Sequence, residues 1–228
     1  MRATTAIAVT TLTLFSAPVF AQNAASNKAF FAKQIEGVTF AAVSGAGETA
    51  PITLISVPAA LKTSSGGAVS ATLSMETLLS TYNITTAVVN GGKSSSSSRA
   101  AIKAWIEVDG MPMQPGAVVY NDRLQATGLT LALTCAVPLT TCTVNGQAIL
   151  ELYQATKSAN SFTFFIGPLS PIIHSVVVKV AGLIECHDSG TVIPCPAGTL
   201  AGYTNAFTQA GIGKATLMIE EQQNWGAR

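Results

Sequence analysis

Charged side chains are scarce in this sequence, and neither sign is in excess. Only 10% of the 228 residues are charged, whereas about 25% is usual for a soluble domain. The chain carries 12 Lys and Arg against 11 Asp and Glu. A near-neutral surface gives no electrostatic reason to bind nucleic acid or an anionic membrane. We therefore expect no nucleic-acid partner.

Histidine is almost absent, with His174 and His187 the only two. A catalytic zinc takes three protein ligands, frequently two or three of them His, so we predict no metal site and no cofactor. His174 is in phase with an apolar row on its strand, which predicts a hydrogen-bonded residue at the edge of the core. The run His187–Asp188–Ser189 places three triad residue types side by side, but a triad converges from separate segments. We predict a solvated loop there and no catalytic residues.

Long hydrophobic runs are missing except at the N-terminus. Met1–Arg2 is a short positive start, Ala6–Phe20 is apolar, and small residues precede Gln22. This pattern predicts a secretory signal over residues 1–21. No later run is long and apolar enough to span a membrane, so we predict a secreted, periplasmic or cell-surface protein with no span after signal removal.

The four cysteines fit that export prediction. Proteins of oxidising compartments use cysteine mainly in disulfides. Four cysteines allow three pairings, and all three stay open from the sequence. The close spacing favours Cys135 with Cys142 and Cys186 with Cys195.

Helical periodicity is missing after residue 21, and a period of two takes its place. In Ala100–Asp109 the apolar residues Ile102, Ala104, Ile106 and Val108 alternate with Lys103, Trp105 and Glu107. This alternation is typical of a half-buried strand. Asp109–Gly110 and Asn145–Gly146 are strong signals for hairpin turns.

The stretch Ser161–Glu185 carries the pattern furthest. A Phe-rich run is followed by a Gly-Pro-Leu-Ser-Pro break and a second run, in which Val176, Val178 and Val180 form an inward row. We interpret it as a hairpin around a proline-bounded turn. About nine or ten such short strands, with little helix, predict an all-β fold, an antiparallel β-sandwich resembling a jelly roll.

The domain organisation is simple. We expect residues 22–50 to be a loosely held lead-in with room for one early strand, and residues 51–228 to form a single β-sandwich domain. Strands are predicted at Val69–Met75 and Ile84–Val89, with a helical turn at Glu76–Ser80 between them. The Gly- and Ser-rich stretch 91–98 cannot bury apolar surface, so it predicts a mobile loop.

Aromatic residues make up only 7% of the chain, but three of them suggest a ligand surface. Trp105 is on the outward side of its strand, and Tyr120 and Tyr153 fall on strands that could adjoin it. Exposed aromatics in a row stack on sugar rings, so carbohydrate or another surface protein is the candidate partner. The alternative is that a loop or the lead-in covers this face.

Few titratable groups and a disulfide-tied β framework favour an exported, non-enzymatic module that acts as a binding or structural surface protein. The first alternative is a subunit of an extracellular fibre or layer, in which the lead-in adds a strand to a neighbouring copy. The second alternative is a secreted hydrolase that uses one or both histidines.

Overall fold

The computed structural model describes residues 29–32, 38–41, 47–63, 67–87, 93–130, 148–200 and 203–222. These residues form fourteen strands and no helix, which confirms the prediction of an all-β fold. Accordingly, the described part of the chain contains no helix that could cross a membrane. The predicted signal 1–21, the cysteines Cys135 and Cys142 and the turn Asn145–Gly146 all lie outside the described residues.

The strands are numbered in chain order, and several are long. They are β1 Ala29–Ala32, β2 Val38–Ala41, β3 Gly47–Glu48, β4 Ile52–Lys62, β5 Ala68–Ala87, β6 Lys93–Val108, β7 Met111–Pro112, β8 Val118–Thr130, β9 Ala148–Ile166, β10 Ile173–Asp188, β11 Thr191–Ile193, β12 Ala197–Leu200, β13 Tyr203–Phe207 and β14 Gln209–Gln222.

Two antiparallel sheets hold most of these strands. In the first sheet β5 lies between β9 and β14, and β1 and β2 pair with β14. In the second sheet β6 lies between β8 and β10, β7 pairs with β6, and β3, β4 and β11 pair with β10. Strands β12 and β13 form a separate two-stranded ribbon.

Both sheets contribute alternate residues to one apolar core. The first sheet supplies Val69, Ala71, Leu73, Met75, Phe164, Leu217 and Ile219, and the second supplies Ile55, Ile102, Ala104, Ile106, Val108, Val176, Val178 and Val180. The predicted inward rows of β6 and β10 are therefore confirmed. A period of two places every second side chain on the buried face, which is why these rows could be identified from sequence.

The prediction of a hairpin over Ser161–Glu185 is wrong. Its first run ends β9, which pairs with β5 in the first sheet, and its second run is β10, which pairs with β4 and β6 in the second. The segment between them crosses from one sheet to the other. Its backbone is fixed by hydrogen bonds from Leu169 to Gly67 and from Thr63 to Ile172.

One further expectation is corrected below. The described residues of the lead-in, 29–32, 38–41 and 47–50, include β1, β2 and β3, and β1 and β2 lie one after the other along β14, opposite its residues 217–220 and 209–212. Strand β5 runs without interruption through Glu76–Ser80, so no helical turn is present there. The pairing of β5 with β9 along its whole length outweighs the weak local preference.

The serine run is also not a loop where the structure describes it. Residues Ser94–Ser98 belong to β6 and pair on one side with β8 and, from Ser96, on the other side with β10. A central strand gains ladder hydrogen bonds on both sides, and buried hydroxyls can bond to one another. Composition alone misses both sources of order.

The turn at Asp109–Gly110 is confirmed. It joins β6 to β7, with Val108 opposite Met111. Both turn residues have positive φ, 50° at Asp109 and 82° at Gly110, as a two-residue type I′ turn requires. Glycine tolerates this region without a steric penalty, and aspartate tolerates it better than most residues.

The disulfide between Cys186 and Cys195 is present, with a Cα–Cα distance of 5.1 Å and a sequence separation of 9. It ties the buried end of β10 to the segment that follows β11. Closing a loop of this size is expected to contribute about 2.5 kcal/mol in the chain-entropy model.

We expect the double variant Cys186→Ala, Cys195→Ser to lose about that much stability in urea unfolding followed by tryptophan fluorescence. An unchanged midpoint would show that the loop is ordered without the bond.

Candidate functional site

The buried His174 lies where three separate segments meet. Its Nδ1 is 2.6 Å from Asp109 Oδ2, and its Nε2 is 3.0 Å from Thr63 Oγ1 and 2.9 Å from the backbone oxygen of Ser170. Asp109 also accepts hydrogen bonds from the backbone N–H and the hydroxyl of Ser175. The imidazole therefore connects the end of β4, the β6–β7 turn and the segment that crosses between the sheets.

These contacts shift the pKa values of both ionisable partners. Burial of the imidazole disfavours its charged form, but hydrogen bonds to Asp109 and Ser170 outweigh burial, and the pKa of His174 is raised. The hydrogen bond from His174, followed by that from the Ser175 backbone, lowers the pKa of Asp109. Both shifts favour an imidazolium beside a carboxylate.

The order Thr63, His174, Asp109 has the connectivity of a catalytic triad, but it does not present a nucleophile. Thr63 is 2% exposed and His174 is 3% exposed, so a substrate cannot reach the hydroxyl. The Thr63 hydroxyl donates to the Ser170 carbonyl oxygen at 2.6 Å. When His174 is protonated, both ring nitrogens donate, and the ring cannot accept a proton from that hydroxyl. The arrangement fits a structural role, in which hydrogen bonds hold the three segments together.

The three predicted ligand-stacking aromatics lie in three different places. Trp105 is half-buried on the outward face of the second sheet, where its indole N–H donates to Glu107 Oε1 at 3.0 Å. Tyr120 is 3% exposed between the sheets, and its hydroxyl donates to the Leu73 carbonyl oxygen. Tyr153 is on the first sheet, opposite Tyr82. They do not form one stacking surface.

His187 lies far from His174 on the same strand. The two are separated by thirteen residues of β10, which is about 40 Å at a rise of about 3.3 Å per residue. They cannot share a metal ion, and the described residues contain no cluster of three metal-ligating side chains. His187 instead borders a shallow cavity of about 340 Å³ with Ser95, Ser97 and Gly190.

The interior beside the serine run is polar, unlike the rest of the core. The hydroxyls of Thr85, Ser96 and Thr127 lie within 2.6 to 2.9 Å of one another. The hydroxyl of Ser98 and the amide nitrogen of Gln125 are buried nearby without a hydrogen-bond partner. Thr85 and Thr127 therefore give Ser96 internal hydrogen-bond partners, whereas Ser98 has none in the described part of the chain.

The outward face of the first sheet is rich in hydroxyl groups. Thr72 is 3.0 Å from Thr163, and Ser74 is 3.0 Å from Ser161, in pairs that cross from β5 to β9. These residues are directly opposite one another in the antiparallel register, which brings their side chains together. The result is a polar face, on which Lys157 and Glu76 also form an ion pair at 3.1 Å.

The outward face of the second sheet is a ladder of ion pairs. They are Arg99–Asp122 at 2.6 Å, Arg99–Glu185 at 3.8 Å, Lys103–Glu48 at 2.5 Å and Lys179–Glu107 at 2.9 Å. Hydrogen bonding from Lys179, against a smaller opposing effect of burial, lowers the pKa of Glu107. Glu107 thus bonds to Lys179, whereas Asp109 bonds to His174.

Sequence reasoning identified His174 as a residue at the edge of the core but missed its partners. Asp109 is 65 residues away and Thr63 is 111 residues away. The sequence shows the turn signal Asp109–Gly110, but a turn signal does not reveal what the Asp109 carboxylate contacts. Knowledge of the sheet-to-sheet crossing would have been needed to bring the three segments together.

Comparison with known proteins adds no family. No family model matches the sequence, and no curated protein matches it. One similar solved structure is that of dimeric latent PorU from Porphyromonas gingivalis, at 10% identity and a TM-score of 0.12. The match covers 85% of this chain and 20% of that one. A likeness this weak carries no argument about fold or function.

Proposed function

We propose that this chain is an exported β-sandwich module without catalytic activity, which works through surface contact as a binding or structural protein. The observation that carries the proposal is the role of His174. The buried His174 and Thr63 and the exposed carboxylate of Asp109, which could do chemistry, instead hold three segments together through hydrogen bonds. The two outward sheet faces, one hydroxyl-rich and one charged, are the surfaces left for contact with carbohydrate or another surface protein.

The disulfide Cys186–Cys195 supports a location outside the cytosol, because such bonds persist in oxidising compartments. A secreted, periplasmic or cell-surface protein is consistent with the predicted signal 1–21.

Two assays on the exported chain test this proposal. Ester, glycoside and peptide substrates are expected to show no turnover, while a glycan array or a pull-down against cell-surface fractions is expected to find a ligand. Turnover that His174→Ala abolishes, in a variant that still folds, would replace this proposal with a secreted hydrolase.

A subunit of an extracellular fibre or layer is the second candidate, and the lead-in favours it. Strands β1 and β2 both attach to the rest of the chain as edge strands on β14. An edge strand donated by one copy can pair equally well with the same edge of a neighbour.

Locking the lead-in to its own chain tests strand donation. Ala29 is opposite Glu220 in the antiparallel register, so the double variant Ala29→Cys, Glu220→Cys should form a cross-strand disulfide. If lead-in exchange builds the assembly, the oxidised double variant is expected to elute as a smaller species than the wild type in size-exclusion chromatography. The two single-cysteine variants serve as controls and should elute like the wild type. A locked chain that assembles to the same size as the wild type would contradict exchange of the lead-in.

A further inference from the structure

Strand β9 is a long edge of the first sheet. It pairs with β5 along all of its 19 residues with no shift of register. On its other side the described residues contribute a single bridge, between Gln114 and Phe165. Strands β1, β2 and β14 lie on the far side of β5, so they do not cover this edge.

The bridge fixes the direction of the backbone groups of β9. Both the N–H and the C=O of Phe165 bond to Gln114, so both point away from β5. Backbone groups alternate with a period of two along a strand. Between Tyr153 and the bridged Phe165, the residues that point the same way are Ala155, Lys157, Ala159, Ser161 and Thr163, and none of these five has a backbone partner in the described part of the chain. All five are exposed.

This edge has few of the devices that prevent strand pairing. Natural edges are blocked by proline, by bulges or by charged residues, lysine in particular. Residues 155–163 contain no proline and no bulge, and their one charged residue is Lys157. Its ammonium group lies 3.1 Å from the Glu76 carboxylate on the neighbouring strand, so its charge is partly balanced within the chain.

We propose that β9 pairs antiparallel with β9 of a second copy of this chain, about a two-fold axis at Ala159. Within residues 155–163 the outward backbone groups are symmetric about this residue, because 155 then pairs with 163, 157 with 161, and 159 with itself. Lys157 is opposite Ser161 in this register, which avoids the like-charge contact that a centre at residue 157 would create. The first sheets of the two copies become one continuous sheet.

The inference rests on the proposed structural role and gives that role a partner, a second copy. It is independent of exchange of the lead-in, because β9 and β14 are on opposite sides of β5. Loss of β9 pairing would therefore leave the non-catalytic surface role and the lead-in alternative standing, each with its own test.

Charge variants at the symmetry axis test the proposal on the exported chain. In Ala159→Lys, and equally in Ala159→Glu, two like charges meet at the axis, and each variant is expected to weaken the dimer about fivefold in sedimentation velocity. An equal mixture of the two places opposite charges together and should recover at least the wild-type affinity. Recovery in the mixture is specific to a contact in which residue 159 meets itself.

The controls use another exposed position and the backbone. Met218 is 40% exposed on the first sheet but belongs to β14, so Met218→Lys and Met218→Glu should leave the dimer unchanged. Ala159→Pro removes an outward N–H from each copy and should weaken the dimer about 30-fold, as two lost hydrogen bonds imply. Three results would overturn the proposal: a wild-type chain that stays monomeric, a dimer indifferent to the Ala159 variants, or a mixture that does not recover.

Discussion

Replacing Phe164 with alanine is expected to lower the free energy of unfolding by about 4 kcal/mol, as is usual for removal of a buried phenyl ring. Phe164 is fully buried in the core, opposite Ala71 on β5. Its neighbour Phe165 points to the other face of β9 and is 54% exposed. The same truncation there, Phe165→Ala, should cost less than about 0.5 kcal/mol.

The two adjacent residues form a matched pair, since both variants remove the same atoms from the same strand. Urea unfolding monitored by circular dichroism measures both. A larger cost at Phe165 than at Phe164 would mean that the faces of β9 are reversed. The proposed β9 contact would then fail as well, because the direction of its backbone groups depends on the same alternation.

How much of this fold the sequence predicts depends on whether the signal is local. The alternation Ile102, Ala104, Ile106 identifies both the strand and its buried face, because one period of two decides both. The turn at Asp109–Gly110 is equally local, since two residues with positive φ define it. For this reason the fold class, this strand and this turn can all be predicted from the sequence.

The choice of which strands pair is not decided by local sequence, and here the prediction from sequence is wrong. Two apolar runs around the break at 167–172 look like a hairpin, yet β9 and β10 belong to different sheets. An alternating run reports that one face is buried and leaves open which strand lies beside it. The segment that crosses between the sheets has the same Gly and Pro residues that a turn within one sheet would have.

The serine run shows a second limit, because composition predicts order only through apolar burial. Ser96 and Ser98 lie on the buried face of the second sheet and are at most 6% exposed. Thr85 and Thr127 supply hydroxyl partners for Ser96 from two other strands. A polar interior of this kind can be satisfied only once the fold is assembled, so no local pattern predicts it.

The same limit applies to the candidate site. Periodicity placed His174 at the edge of the core, and the structure confirms a buried, hydrogen-bonded residue. What the histidine does depends on Asp109 and Thr63, which only the packing of the sheets brings to it. The sequence therefore predicts where His174 lies but does not predict which residues it bonds to.

Removing the hydrogen bonds of His174 is expected to have the second large effect on stability. His174→Ala is expected to lower the free energy of unfolding by about 3 kcal/mol near pH 5.5, since it leaves a cavity and unpaired polar groups at Asp109 and Thr63. His187→Ala is the matched control, and we expect it to cost less than about 0.5 kcal/mol because that half-buried side chain has no hydrogen-bond partner among the described residues. Urea unfolding of both variants and the wild type in one buffer series measures the difference.

The cost of His174→Ala should also depend on pH in a defined direction. The pKa of Asp109 is lowered in the fold, so its contribution is present above the ordinary carboxyl pKa of about 3.9 and is lost as the pH falls through the folded value. The pKa of His174 is raised, so its contribution is complete below the ordinary imidazole pKa of about 6.5 and is lost as the pH rises through the folded value. The difference between wild type and variant should therefore be greatest between about pH 4 and pH 6.5 and smaller at pH 3 and pH 9. A difference that stays constant from pH 5 to pH 9 would mean that His174 is neutral in the fold, which would also reopen Thr63 as a group that could give up its proton.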